Sequence, residues 1–82
     1  MVNVTFTEEF KVIFSNIKDK LLKKKILKQV EKIKANPEVG KPMKYDRKGT
    51  RELYIKPFRL SYEYLQDKNL VYILDLYRKK KQ

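Results

Sequence analysis

The spacing of apolar residues changes once along the 82-residue chain, and this change constrains the fold more than any other feature. Before Pro37, apolar side chains recur every three or four residues, which is the period of an amphipathic α-helix. After Gly49 they alternate or run continuously, as in β-strands. A chain of this length makes one domain with a thin core, here residues 1–82. The sequence therefore predicts an α+β fold in which helices and strands share that core.

The N-terminal half predicts one strand and two helices. Residues 2–6 are β-branched and aromatic, as in a strand. Thr7, followed by two glutamates, is typical of a helix start, and Asp19 is a candidate cap for a second helix. That helix should end at Asn36, because a residue before proline is pushed out of the α-helical conformation. The residues at helical spacing are Phe10, Ile13, Phe14 and Ile17 in the first helix, and Leu22, Ile26, Val30 and Ile33 in the second.

The C-terminal half predicts three strands after a loop at residues 37–49, which contains two prolines and two glycines. The strands are expected at residues 51–56, 58–65 and 70–77. Short turns between them predict antiparallel pairing. The last run is almost continuously apolar, which favours a strand covered on both faces. The expected order is β-α-α-β-β-β, with an antiparallel sheet, both helices packed on one face and Arg59 on the other.

The composition limits the chemistry that the chain can perform. It has no cysteine and no histidine, so the usual zinc ligands and the usual general base near neutral pH are missing. We therefore expect no metal site and no cofactor. The net charge of +11 favours a polyanionic partner such as nucleic acid, although a lysine-rich solvated surface would give the same excess. Without a signal-peptide pattern or an apolar run of about 18 residues, the chain is expected to be cytoplasmic and free of membrane contacts.

Four segments, in the same order, resemble the RelE/ParE toxin superfamily. They are VTFTEEF at residues 4–10, IKANPEVGKPMK at 33–44, GTRELYI with FRLSYEY at 49–55 and 58–64, and ILDLYRK at 73–79. The resemblance implies a RelE-like fold and the toxin of a type II toxin–antitoxin module. RelE-type toxins cleave mRNA in the ribosomal A site, whereas ParE-type toxins inhibit DNA gyrase. It also implies an acidic antitoxin partner that covers the basic surface.

The resemblance points to two arginines as candidate catalytic residues. Arg59 matches the arginine of the family's "Y-R-L-x-Y" strand, and Arg78 matches the one after its last strand, which lies beside the first in the active cleft. A planar guanidinium can hold two phosphate oxygens and stabilise their charge. Arg59 could instead pair with Glu63 on the same face, and Arg78 could belong to a solvated basic tail.

Two further candidates occupy positions where some relatives carry exposed lysines. Glu52 could act as a carboxylate base or pair with Arg51, and Tyr54 could stack on an RNA base or pack at the sheet edge. The residues predicted to contact RNA are Lys41, Lys44, Arg47, Lys48, Arg51, Lys56, Arg59 and Arg78.

The C-terminus departs from the family pattern. Many RelE toxins place a nucleophile-activating tyrosine several residues after the arginine that Arg78 matches, but this chain continues with three lysines and Gln82. Tyr77 precedes Arg78, so strand alternation should turn its side chain the other way. We expect a ribosome-dependent mRNA endonuclease. Without this tyrosine, three outcomes stay open: another base, slow cleavage or no cleavage. The alternatives are a gyrase inhibitor and a non-catalytic RNA-binding relative.

Overall fold

A computed structural model describes residues 1–43 and 49–78 of the chain. The helices are α1 (Glu8–Ser15) and α2 (Lys20–Ala35). The strands are β1 (Asn3–Phe6), β2 (Lys41–Pro42), β3 (Thr50–Ile55), β4 (Phe58–Leu65) and β5 (Leu70–Arg78). Residues Gln66–Lys68 form a single 3₁₀ turn between β4 and β5. No helix in these two ranges is long and apolar enough to cross a bilayer.

Both helices begin at the predicted caps. The Oγ1 of Thr7 accepts a hydrogen bond from the Phe10 N–H at 3.2 Å. The Oδ1 of Asp19 accepts from the N–H groups of Leu21 and Leu22 at 2.9 and 3.3 Å. Each contact pairs backbone donors that the first turn of a helix leaves without a partner. Helix α2 ends just before Asn36, as the following proline predicts.

The strands form one five-stranded sheet in the order β1-β5-β4-β3-β2. The α+β architecture is confirmed, but the sheet is mixed, because β1 pairs parallel with β5. Two helices separate β1 from the remaining strands, and a connection of that length permits a parallel neighbour. Strand β2 lies inside the segment predicted as a loop, and its two residues are too few to show any alternation.

The core lies between the helices and one face of the sheet. The largest fully buried side chains are Tyr62, Ile26, Ile33, Leu60, Ile73 and Val71. The apolar faces predicted for α2 and β4 therefore meet each other. Neither α1 nor α2, the helices of the described residues, covers the other face of the sheet.

A β-bulge in β5 changes which residues face the core. Ser61 pairs with Asp75 and Tyr62 pairs with Ile73, so Leu74 is an extra residue in β5. Leu74 lines a surface groove with Val12 and Ile13 of α1, on the helix side. The prediction that β5 is covered on both faces is wrong, because the bulge turns a run of apolar residues toward the helices.

Candidate functional site

The sheet face away from the helices, here called the open face, carries mainly polar and aromatic side chains. Its members are Thr50, Glu52 and Tyr54 of β3, Arg59, Ser61 and Glu63 of β4, and Tyr72, Asp75 and Tyr77 of β5. Cross-strand partners share a face of a sheet. One row across the open face is therefore Tyr54–Arg59–Tyr77, and the next is Lys41–Glu52–Ser61–Asp75.

Arg59 lies at the centre of the first row. Its guanidinium carbon lies 4.4 Å from the centroid of the Tyr54 ring, within the range of a cation–π contact. Its Nε is buried and has no hydrogen-bond partner among the described residues. The sequence also allowed an ion pair between Arg59 and Glu63. The ion pairs within residues 1–43 and 49–78 do not include it. The Tyr54 ring therefore positions the Arg59 guanidinium, and no carboxylate of the described residues pairs with it.

Tyr77 is the site residue that the sequence analysis missed. Its hydroxyl donates a hydrogen bond of 2.5 Å to Oε2 of Glu52, spanning from β5 to β3 across β4. Simple alternation predicts that Tyr77 points away from the open face, but the extra residue Leu74 reverses the alternation of β5 beyond it. The sequence carries no clear signal for this bulge, since Leu74 is one apolar residue within an apolar run.

The same bulge moves Arg78 away from Arg59. Arg78 pairs with Phe58, whose side chain packs against the core on the helix side, and its guanidinium carbon lies 5.7 Å from that ring. The two arginines therefore lie at the same end of the sheet but on opposite faces. The expectation that both point into one cleft is not met. A regular β5 would have turned Arg78 to the same face of the sheet as Arg59.

Arg51 also lies on the helix side, where it holds the segment that precedes β2. Its Nη1 donates to the backbone oxygens of Glu38 at 3.1 Å and Gly40 at 2.8 Å. Its Nη2 lies 3.7 Å from Oε2 of Glu38. Arg51 therefore binds the segment before β2 and does not lie on the open face.

Tyr62 supports the same segment from the core. Its hydroxyl accepts from the Gly40 N–H and donates to the Pro37 oxygen, both at 2.8 Å. Burial raises the pKa of Tyr62 above its ordinary value, and the Gly40 N–H opposes this effect. These contacts fix the backbone that leads directly into Lys41 and therefore place that lysine at the margin of the open face.

The remaining predicted phosphate contacts are only partly visible. Lys41 is exposed and pairs with Glu52, and Lys56 is exposed at the β3–β4 turn, close to the end of the sheet where Arg59 lies. The predicted contacts Lys44, Arg47 and Lys48 lie outside the described residues. Within the described ranges, no group of three or more carboxylate side chains could hold a metal ion.

The open face therefore combines three chemical elements. Arg59 supplies a fixed positive charge, and Tyr54, a residue that is 55% exposed, supplies an aromatic ring. Tyr77 and Glu52 supply a phenol hydrogen-bonded to a carboxyl group. A guanidinium binds phosphate oxygens, a tyrosine ring stacks on unpaired bases, and a phenol with a carboxylate can move a proton.

Comparison with solved structures gives the same fold. The chain is similar to the E. coli RelBE toxin–antitoxin complex at a TM-score of 0.84 and 11% identity, covering 99% of this chain and 100% of that one. It is similar to the RelBE2 complex of Mycobacterium tuberculosis at 0.80 and 22% identity, covering 95% and 98%. For the YoeB dimer of Staphylococcus aureus the values are 0.69 and 24%, covering 96% and 98%.

Comparison by sequence identifies the family. No curated protein matches the chain. The family described as "ParE toxin of type II toxin-antitoxin system, parDE" matches residues 2–82, which is nearly the whole chain. The chain therefore belongs to the ParE toxin family, within the RelE/ParE superfamily, and is the toxin of a type II toxin–antitoxin system.

Proposed function

We propose that this toxin is a ribosome-dependent endonuclease that cleaves mRNA, and that Arg59 stabilises the charge developing on the scissile phosphate. The observation that carries the proposal is the guanidinium of Arg59, which lies on the open face without an anionic partner among the described residues. A fixed cation that meets no internal carboxylate can meet the phosphate of a substrate. Donors that are positioned in advance toward developing charge are often the largest single contribution to catalysis.

The neighbours of Arg59 suggest how an RNA strand would lie on the open face. The ring of Tyr54 is covered by Arg59 on one side and is more than half exposed, so we propose that it stacks on an unpaired base. Lys41 and Lys56 are exposed around this end of the sheet and are proposed to contact flanking phosphates. Arg78 is left out, because it lies on the helix side of the sheet. Arg51 is left out, because its guanidinium binds the segment before β2.

The test is cleavage of labelled mRNA bound to purified ribosomes, measured under single-turnover conditions. We expect Arg59→Ala to lower the cleavage rate by about 10²–10³, the usual cost of losing one charge-stabilising donor. Lys68→Ala is the charge-matched control, because Lys68 is exposed at the opposite end of the β4–β5 hairpin and should leave the rate unchanged. An Arg59→Ala variant as active as the parent would refute the proposed role.

A second outcome of the same assay would point to a non-catalytic toxin. Such a protein would bind RNA without cutting it. Its log affinity would fall with log salt concentration at a slope of about −0.7 per single-strand phosphate neutralised. Intact mRNA together with strong salt-dependent binding would therefore contradict the endonuclease proposal and leave an RNA-binding function.

An acidic antitoxin is the proposed partner of the toxin. Strand β1 is an edge strand, whose one partner within the described residues is β5. Beside it lies an apolar groove of about 210 Å³, lined by Phe6, Phe10, Phe14, Leu27 and Lys11. An exposed edge and an apolar groove suit a segment that adds a strand or docks a helix, and the net charge of +11 favours an acidic one. Failure of a small acidic protein from the neighbouring gene to suppress toxicity would count against this partner.

Inhibition of DNA gyrase is the second candidate function. It is favoured by the family match, because the matching family is that of ParE toxins. A gyrase inhibitor would block supercoiling by purified gyrase while mRNA in the same cells stayed intact. Mapping mRNA 5′ ends after induction, beside a supercoiling assay, separates this function from mRNA cleavage.

A further inference from the structure

We propose that Tyr77 accepts the proton of the attacking 2′-hydroxyl and passes its own proton to Glu52. This inference rests on the proposed mRNA cleavage and names the residues that would activate the nucleophile. Its basis is the 2.5 Å hydrogen bond from the Tyr77 hydroxyl to Oε2 of Glu52, located on the open face beside Arg59. The chain has no histidine, so the group that takes this proton is not an imidazole.

The register of the sheet brings the pair close to the proposed phosphate site. Tyr77 is the direct cross-strand partner of Arg59, and such partners have Cα atoms about 4.5–5.5 Å apart. Glu52 lies in the neighbouring row, where its partner on β4 is Ser61. The Tyr77 side chain must therefore cross β4 diagonally, between Arg59 and the small Ser61, to reach Glu52. A phosphate held by Arg59 would have its adjacent ribose within reach of the phenol oxygen.

The chemical character of the two groups suits a relay in which one proton reaches the phenol oxygen while the phenol proton moves to the carboxylate. A phenol oxygen can donate its hydrogen to one partner and accept a hydrogen from another. An ionised carboxylate only accepts, so it can receive the phenol proton. The observed bond already has the required direction, with Tyr77 donating to Glu52.

The complete step balances without an added reactant other than water. The 2′-oxygen forms a bond to phosphorus while the bond from phosphorus to the 5′-oxygen breaks. The 2′-hydroxyl proton moves to the Tyr77 oxygen, and the Tyr77 proton moves to Glu52. The departing 5′-oxygen takes a proton from water. The products are a 2′,3′-cyclic phosphate and a 5′-hydroxyl, and Glu52 returns its proton to solvent.

The position of Tyr77 depends on the β-bulge, which links this chemistry to the fold. The extra residue Leu74 puts Tyr77 on the open face and Arg78 on the helix side. In a regular strand the two would exchange faces. The bulge therefore removes one cation from the open face and supplies a phenol in its place.

Single-turnover cleavage on programmed ribosomes tests the inference, with binding measured separately on mRNA that carries a 2′-O-methyl group at the cleavage site. We expect Tyr77→Phe to lower the rate by about 10²–10⁴, the usual contribution of general acid–base catalysis. Binding of the methylated mRNA complex should be unchanged. Tyr72→Phe is the matched control, since Tyr72 lies on the same strand and face and its hydroxyl makes no hydrogen bond within the described ranges.

Glu52→Gln provides an independent variant, because an amide cannot accept the phenol proton but keeps the shape of the side chain. It should lower the rate, and the double variant should be no slower than Tyr77→Phe alone, because the two residues act as one unit. A purely structural role would instead lower the unfolding temperature and weaken binding, and would make the two losses add.

The possible outcomes separate the two proposals. Cleavage by the parent together with an unimpaired Tyr77→Phe variant would overturn the proton transfer and leave the endonuclease intact. Equal losses of rate and affinity in Tyr77→Phe would overturn it in favour of a structural role. No cleavage by the parent on any programmed ribosome would overturn the proposed function and the proton transfer together.

Discussion

Replacing Tyr62 with phenylalanine removes one oxygen atom from the centre of the core. Two backbone groups then lose the hydroxyl that they bond. Tyr62 has no exposed surface, and its hydroxyl bonds both the Gly40 N–H and the Pro37 oxygen at 2.8 Å. The ring itself fits the same space in either residue. The variant therefore measures the value of these two hydrogen bonds to the folded state.

The expected loss follows from the burial of each partner. A buried donor left without an acceptor costs about 1–3 kcal/mol. The Gly40 N–H belongs to a buried residue, whereas Pro37 is partly exposed, so its oxygen can be solvated. We expect the free energy of unfolding to fall by about 2 kcal/mol. For a chain of this size, with a total of about 4–12 kcal/mol, that is a sixth to a half of the stability.

Urea denaturation followed by circular dichroism measures this loss. With a slope of about 1 kcal/mol per molar urea, the midpoint should fall by about 2 M while the slope stays constant. The melting temperature should fall by about 8–16 °C. Tyr64→Phe is the matched control, because Tyr64 lies on the same strand and face, yet its hydroxyl makes no hydrogen bond within the described ranges. It should cost less than about 0.5 kcal/mol.

Equal midpoint shifts in the two variants would refute this reasoning. They would mean that the Tyr62 hydroxyl contributes no more to the free energy of unfolding than the Tyr64 hydroxyl does. A changed slope would instead indicate that the variant alters how much surface is exposed on unfolding, and the two hydrogen bonds would no longer account for the result.

Two further predictions concern the same segment. Burial raises the pKa of Tyr62 above 10.0, so the tyrosine ionises in the unfolded chain before it ionises in the folded one. The contribution of neutral Tyr62 to stability is complete below about pH 10 and is lost as the pH rises further. Alkaline titration of the unfolding free energy should therefore show a steeper fall for the parent than for Tyr62→Phe, and parallel curves would contradict the shift. In Gly40→Ala, the new Cβ would lie 2.6 Å from the Tyr62 hydroxyl oxygen and 3.1 Å from the Glu52 backbone oxygen, so we expect a loss of about 1–3 kcal/mol. Thermal melts should show that combining it with Tyr62→Phe costs less than the sum of both, because the closest clashing atom is already gone; strict additivity would argue against the clash.

Much of the fold could be predicted from the sequence because local rules act over a few residues. Thr7 and Asp19 cap helices through their own side chains, and Pro37 limits the backbone of the residue before it. The apolar spacing of α2 and the alternation of β4 similarly reflect which side of one element meets the core. Arg59 was correctly placed on the face opposite Leu60 by the same alternation.

The features that escaped prediction depend on contacts between distant parts of the chain. The two-residue strand β2 exists because Lys41 and Pro42 pair with Glu52 and Arg51, not because of their own propensity. The parallel pairing of β1 with β5 joins residues about 67 positions apart, and no local pattern encodes it. Arg51 was predicted to contact RNA, but its guanidinium donates to backbone oxygens that lie close to it only in the folded chain.

The sequence by itself determined the two capped helices, the alternating strands, the basic charge and the placement of Arg59 on the uncovered face. Each of these follows from residues within one turn or one strand, or from simple composition. Only the tertiary structure decided that Leu74 forms a bulge, and so that Tyr77 faces Glu52 while Arg78 faces away. A one-residue shift in strand pairing exchanges the faces of every residue beyond it, and the partner strand and helix α1 set that shift through packing.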